Sequence, residues 1–253
     1  MQSIAAPSEE DRVLTHAFLI GGMKCGTWTM FKLLRKHPAI AASKPKELKY
    51  FTNSAFGEWD DYHANFDIKP RTKVLLEGTV QYSRHPDTKD SAYKISRFDP
   101  SARFIYLMRD PVARIESQLA HRIAREEIDL TDQARRRELQ KAISFSQYFT
   151  QAGAFASIFG PEQMYLQTFE HFVRNQVSVV EEIFGFLGVK VPDGVEALPP
   201  QNVRRADHGA DRFALTAEEE DMIRDSLHDE AQSLTTAFGI DTSVWKRFWV
   251  DGQ

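Results

Sequence analysis

The chain has 253 residues and a mass of 29.0 kDa, with 42% hydrophobic and 11% aromatic residues, enough for one substantial core. A formal net charge of -4 and a pI near 6.1 give no global signature of nucleic-acid binding, and a mean hydropathy of -0.43 without a long apolar run argues against a membrane span. The single cysteine, Cys25, excludes an internal disulfide framework and a cysteine-rich zinc site.

Residues 1 to 12 are polar, contain Pro7 and read as a frayed tail. The first apolar stretch, Ala17 to Gly22, is too short for a signal peptide and follows the acidic Ser8-Glu9-Glu10-Asp11, so the expectation is a soluble, cytoplasmic protein. From Ala17 to Lys36 the sequence AFLIGGMKCGTWTMFKLLRK takes a short strand into a glycine-bracketed turn and then directly into a helix. Such a turn aims backbone N–H groups and the positive end of the helix dipole at one spot, and Lys24 adds a full charge there. Gly21 and Gly26 have the Walker A spacing, but Thr27 and Trp28 stand where that motif has Lys and Ser or Thr, which disfavours a metal-dependent NTPase. The expected cradle is built from backbone amides, Lys24 and the Thr27 or Thr29 hydroxyl. Cys25 reads as a small side chain tucked under the turn rather than as an activated thiol.

His37-Pro38 stops the first helix, and Lys44 to Phe51, KPKELKYF, follows as a charged loop. There Glu47 is flanked by Lys46 and Lys49, which favour its ionised form and suit it to act as a general base. A strand from Lys73 to Leu76 runs into Glu77-Gly78-Thr79, and a further strand from Arg103 to Met108 runs into Arg109-Asp110-Pro111. Asp110 as N-cap and Pro111 at the first position predict a helix to about Arg125. Arg109 at the end of a buried strand and Ser117 two turns into that helix can bind an anion together if the ligand lies along the helix; taken alone, the Arg-Asp helix start also reads as structural.

The charged stretch from Leu130 to Thr150 reads as helical, with Arg135, Arg136 and Arg137 on a solvated face. A fourth strand from Met164 to Gln167 precedes a helix near Val177 to Leu187 that Gly188 ends. Pro192 to His208 reads as a loop, and Thr216 with Glu219 makes a capping box for a helix reaching about Phe238. Apolar runs separated by helical stretches predict a single α/β domain over residues 1 to 253, with a central parallel β-sheet flanked by helices.

In this order the elements resemble the PAPS-dependent sulfotransferases, most closely the carbohydrate branch typified by the heparan sulfate enzymes and their bacterial relatives. The family's K-x-G-T loop matches Lys24, Cys25, Gly26 and Thr27; its R-D-P with a following serine matches Arg109 to Pro111 and Ser117; its K-E-x-x-[YF]-F matches Lys46 to Phe51; and E-x-T-x-x-Y matches Glu77 to Tyr82. The resemblance implies a P-loop-like fold and transfer of a sulfonyl group from 3′-phosphoadenylyl sulfate (PAPS) to a hydroxyl on a glycan or small molecule, releasing PAP without a metal. It implies that Lys24, Cys25, Gly26, Thr27, Trp28 and Thr29 hold the 5′-phosphosulfate and that Arg109 and Ser117 hold the 3′-phosphate. Glu47 is implied as catalytic base and Lys24 as the group on the leaving oxygen.

The family's basic covering loop is matched loosely by Arg204 or Arg205, ahead of Arg212. Lys46, Lys49, Tyr82 and His85 are candidates for the acceptor, with Trp59, His63 and His121 behind them. Gly78 and Lys49 depart from the animal 3-O-sulfotransferases, which carry lysine and histidine there. A P-loop nucleotide or sugar kinase, or a non-catalytic nucleotide-binding protein, is the alternative. Nucleic acid is not an expected partner, and no membrane span is expected.

Overall fold

In a parallel sheet covered on both faces, successive side chains of one strand enter two different cores. The strand β4 (Arg103–Met108) does this: Phe104, Tyr106 and Met108 join one core, Ile105 and Leu107 the other, and all five are fully buried. Phe18 and Leu19 of β1 (Thr15–Leu19) divide in the same way. The computed structural model describes residues 14–52, 59–84, 87–125, 131–199 and 213–250, with the backbone alone at Trp59.

The sheet is completed by β2 (Ile40–Ala42), β3 (Val74–Glu77) and β5 (Met164–Thr168), in the order β2-β3-β1-β4-β5 and parallel throughout. Ala17 of β1 lies between Leu76 of β3 and Arg103 of β4. The chain leaves β1 toward β2 and β3 on one side and later returns to β4 and β5 on the other, so the loop after β1 sits where the winding reverses. Crevices at such reversals, outside the carboxyl ends of the strands, are where open α/β sheets bind ligands.

One face is covered by α1 (Thr27–Leu34) and α8 (Gln176–Phe186), through Met30, Phe31, Leu34, Val180 and Ile183. The other is covered by α3 (Ser91–Phe98), α4 (Pro111–Ala124), α6 (Tyr148–Phe159) and α9 (Ala217–Phe238). The short α2 (Trp59–His63) adds Tyr62 to that second core, and α5 (Asp132–Ser144) and α7 (Phe169–Arg174) complete the helices among the described residues. Asp110 caps α4 as its side chain accepts from Ala113 N–H, both halves of the Thr216–Glu219 capping box form, and Gly188 takes the left-handed conformation just beyond α8.

Three expectations need correction. The sheet has an edge strand, β2, that three residues between a helix stop and a charged loop do not announce. The stretch from Leu130 to Thr150 is not one helix: α5 stops at Ser144, and α6 starts at Tyr148 and runs well beyond Thr150. Arg135 is not simply solvated, because its Nε and Nη2 each donate to a Glu219 carboxylate oxygen at 2.6 Å and its guanidinium lies over the Phe213 ring. The reason is tertiary, since α9 presents its amino end to α5 across 84 residues of sequence.

Candidate active site at the carboxyl ends of the strands

The loop between β1 and α1 is held close to β4. Ile20 N–H donates to Ile105 O and Gly22 N–H to Leu107 O, and a Cβ on Gly21 would stand 2.3 Å from Leu107 N, so only glycine fits there. Lys24 and Gly26 both take positive φ, 70° and 80°. A side chain at Gly26 would meet the Phe169 ring at 2.8 Å as well as the conformational penalty. Gly26 is the N-cap of α1 with no side-chain cap, and the first turn carries no acidic residue. The first amides of α1 therefore end in a loop shaped for an anion and neutralised by nothing from the helix itself. Thr27 is buried in that turn, Thr29 is half-buried, and Trp28 is 42% exposed.

Arg109 reaches this loop from the end of β4. Its Nη1 donates to Lys24 O at 3.1 Å, its guanidinium lies 4.8 Å from the Phe169 ring centroid, and its own carbonyl accepts from the Tyr148 hydroxyl. Phe169 thus touches both Gly26 and Arg109, a wall that no motif marks. Ser117 sits half-buried on the second turn of α4. Beside them Glu170 accepts from Asp110 N–H, and burial pushes its carboxyl up from the usual range. Cys25 is fully buried, and desolvation pushes its thiol up to about 12. That agrees with a packing role.

Glu47 stands on the segment that follows β2. Its Oε1 accepts from Lys46 Nζ at 3.3 Å, and its side chain is 36% exposed against 9% for Lys46. Lys46 also donates to Gly78 O at 2.6 Å, and burial pulls its ammonium below the usual value, with Glu47 opposing that shift. Lys49 is exposed, with φ 58°. The segment is bound to the stretch after β3: Gly78 N–H donates to Lys46 O, and Lys49 N–H to Thr79 Oγ1. That stretch is in turn bound to the anion loop, where the Ser83 hydroxyl donates to Ile20 O at 2.5 Å. The Glu47 segment and the anion loop are thereby parts of one assembly.

Arg84 is the second group that no motif marks. It donates to Met23 Sδ at 3.5 Å, its guanidinium lies over the Phe145 ring at 5.0 Å, and Glu47 counters part of the burial penalty that lowers its pKa. Its place two residues after E-x-T-x-x-Y was the available signal.

Other candidates lie elsewhere. Tyr82 is 1% exposed, with its hydroxyl bonded to Glu77 and Phe51, so it is part of the core rather than of an open cleft. His63 stacks on His16, which bonds Asp99; this cluster is at the amino end of β1, opposite the anion loop. His121 is exposed in the last turn of α4. His85, Arg204, Arg205 and Arg212 lie outside the described residues, as does the Trp59 side chain.

Residues 14–206, more than half of the chain, match the family model described as a sulfotransferase domain. The membrane-associated sulfotransferase kil1 of Dictyostelium discoideum is 33% identical over 42% of this chain and 22% of its own length. Mouse heparan sulfate glucosamine 3-O-sulfotransferase 3A1 is 29% identical over 46% of this chain and 29% of its own, so the chain spans under a third of either relative. Among solved structures, a sulfotransferase from Alicyclobacillus acidocaldarius superimposes with a TM-score of 0.73 at 22% identity, covering 92% of this chain and 99% of that one. Mouse sulfotransferase SULT7A1 complexed with PAP gives 0.54 at 12% identity, covering 86% and 85%. These two likenesses show the fold, and the match along residues 14–206 shows descent: the chain belongs to the sulfotransferase domain family.

Proposed function

We propose that the protein transfers a sulfonyl group from PAPS to an acceptor hydroxyl and releases PAP. The observation that carries this reading is the bond from Arg109 to the carbonyl of Lys24, which brings a second cation to an uncapped helix N-terminus already carrying one. A nucleotide with a 5′-phosphosulfate and a 3′-phosphate has anionic groups suited to both. Lys24, Thr27, Thr29 and the amides of Cys25 to Thr29 would hold the first, and Arg109 with Ser117 the second. When bound, PAPS supplies an activated sulfonyl group: a bond from sulfur to the acceptor oxygen forms as the bond to the bridging oxygen breaks.

Glu47 takes the acceptor proton, and Lys46 holds the Glu47 carboxylate in place while itself anchored on Gly78 O. Lys24 stabilises the charge that the departing phosphate gains. To the acceptor side of the reaction we assign two further cations, the exposed Lys49 and Arg84. The names of the carbohydrate relatives support a glycan or small-molecule hydroxyl as acceptor. No helix of the described residues is long and apolar enough to cross a membrane, and a cytoplasmic setting is part of the same proposal, to be checked by cell fractionation.

PAP release from PAPS with a panel of hydroxyl acceptors tests the reaction. Glu47→Gln is expected to lower kcat by about 100-fold or more, the range for loss of a positioned base. Arg109→Ala is expected to weaken PAP binding by about 10- to 100-fold, as for loss of a charge-assisted hydrogen bond. Magnesium-dependent ATP turnover, or PAP binding without transfer to any acceptor, would overturn it.

A further inference from the structure

Glu77, the last residue of β3, is fully buried, and its carboxylate collects donors from three directions. The hydroxyls of Thr79 and Tyr82 donate to Oε1 at 2.5 and 2.7 Å, and that of Tyr62, on α2, donates to Oε2 at 3.0 Å. The backbone N–H of Leu48 donates to the same carboxylate. Two of these hydroxyls pass the interaction on. Thr79 Oγ1 accepts from Lys49 N–H at 3.1 Å, and Tyr82 Oη accepts from Phe51 N–H at 3.2 Å. Each hydroxyl has one proton, and here it goes to Glu77, which leaves the lone pairs turned toward the amides. Leu48, Lys49 and Phe51 are thus tied to one carboxylate, directly or through a single hydroxyl, and they are the residues that follow Glu47.

We infer that Glu77 is the positioning residue of the site, the buried anchor that fixes the backbone carrying Glu47. The inference rests on the sulfonyl-transfer reading for its catalytic consequence, and on hydrogen bonding alone for its structural one. The titratable and charged groups facing Glu77 are Tyr62 from α2, Tyr82 from the turn after β3, and the ammonium of Lys46 from the Glu47 segment. Both tyrosines are held well above their usual value by burial, so they remain donors throughout the working range. The carboxyl itself is pushed up to about 7 by burial, against the pull of its four donors. Protonation places a hydrogen where a donor already points: on Oε1 it displaces a relay hydroxyl and weakens its hold on the amide behind it, whereas on Oε2 it meets the Tyr62 hydroxyl, which holds no amide.

The test compares wild type with Glu77→Gln, which keeps the shape but adds donors, and with Tyr82→Phe, which cuts one relay. Hydrogen exchange of the Leu48, Lys49 and Phe51 amides is read beside steady-state kinetics. Glu77→Gln is expected to lose protection at all three amides and to lower kcat by about 10- to 100-fold, the cost of a reacting group misplaced by about an ångström. KM for PAPS stays within about twofold, because the anion loop is held by β4 and Ser83 and makes no bond to Glu77 itself. The wild-type acid limb of kcat includes a group of about 7 that the variant lacks. Tyr82→Phe is expected to lose protection at Phe51 alone with a smaller fall in kcat, and it carries the test if Glu77→Gln does not fold.

A folded Glu77→Gln with wild-type protection and kcat, or a fall confined to KM for PAPS, overturns the inference. Lost protection in a protein whose wild type transfers sulfonyl to no acceptor supports the tether and overturns the transfer reading instead.

Discussion

Lys46 and Lys49 flank Glu47 in sequence and have different fates. Lys46 is drawn inward, where Gly78 O and the Glu47 carboxylate hold its ammonium, while Lys49 stays exposed on a backbone at φ 58°. The difference comes from the anchors on either side: Lys46 O accepts from Gly78 N–H, and Lys49 N–H is spent on Thr79 Oγ1. Burial acts on Cys25 in the other sense. A thiol at a helix N-terminus beside cations is ordinarily activated, but here desolvation outweighs Arg114 and Arg109 and pushes it up to about 12. Native protein is therefore expected to resist iodoacetamide at neutral pH and to react only when unfolded, as mass spectrometry of the Cys25 peptide would record.

At the scale of elements, helix ends do two jobs each. Asp110 caps α4 with one carboxylate oxygen, and with the other it accepts from the N–H groups of Arg247 and Phe248, which pins the chain after α9 against the turn that carries Arg109. Glu219 closes the capping box of α9 and also takes the Arg135 fork from α5. The two partners agree in direction: Arg135 is raised and Glu219 lowered, each chiefly by their mutual hydrogen bond. Thr216→Ala is expected to cost about 1 kcal/mol, the usual worth of a cap. Glu219→Ala should cost more, since it removes the reciprocal cap and the partner of Arg135 together. Urea unfolding of the two variants checks the order.

For the whole molecule, Glu77 gives stability a pH dependence of definite sign. Its carboxyl is at about 7 in the folded chain against 4.5 ordinarily, so the folded state holds the proton more tightly. The stability this group contributes is fully present below about pH 4.5 and is lost as pH rises to about 7, a change of about 3 kcal/mol. Chemical denaturation at several pH values should show this component in wild type and not in Glu77→Gln. Activity runs the opposite way, since the ionised carboxylate is the one that tethers the Glu47 segment. Binding of PAP to the folded chain alone is expected to add ~2.7 kcal/mol at a concentration of ~100 times Kd. In a chain of this size that raises Tm by about 5–10 °C, readable by differential scanning fluorimetry.

What consecutive residues decide was legible in the amino-acid sequence. The glycine-bracketed loop, the Asp110-Pro111 helix start, the Thr216–Glu219 box and β4 each rest on contacts within a few positions, and all stand where the sequence puts them. The motifs also singled out Glu47 and Arg109 as candidates, because their neighbours in sequence are the signature. Only the tertiary structure decided that Arg109 meets the carbonyl of Lys24 across 85 residues, that Arg84 lies against Met23 and the Phe145 ring, and that Tyr82 is bonded internally to Glu77 and Phe51. It also moved His63 to the opposite end of the sheet. The physical reason is that a buried polar group takes whichever partner the topology delivers, and strands in the order β2-β3-β1-β4-β5 deliver partners that sequence spacing does not encode.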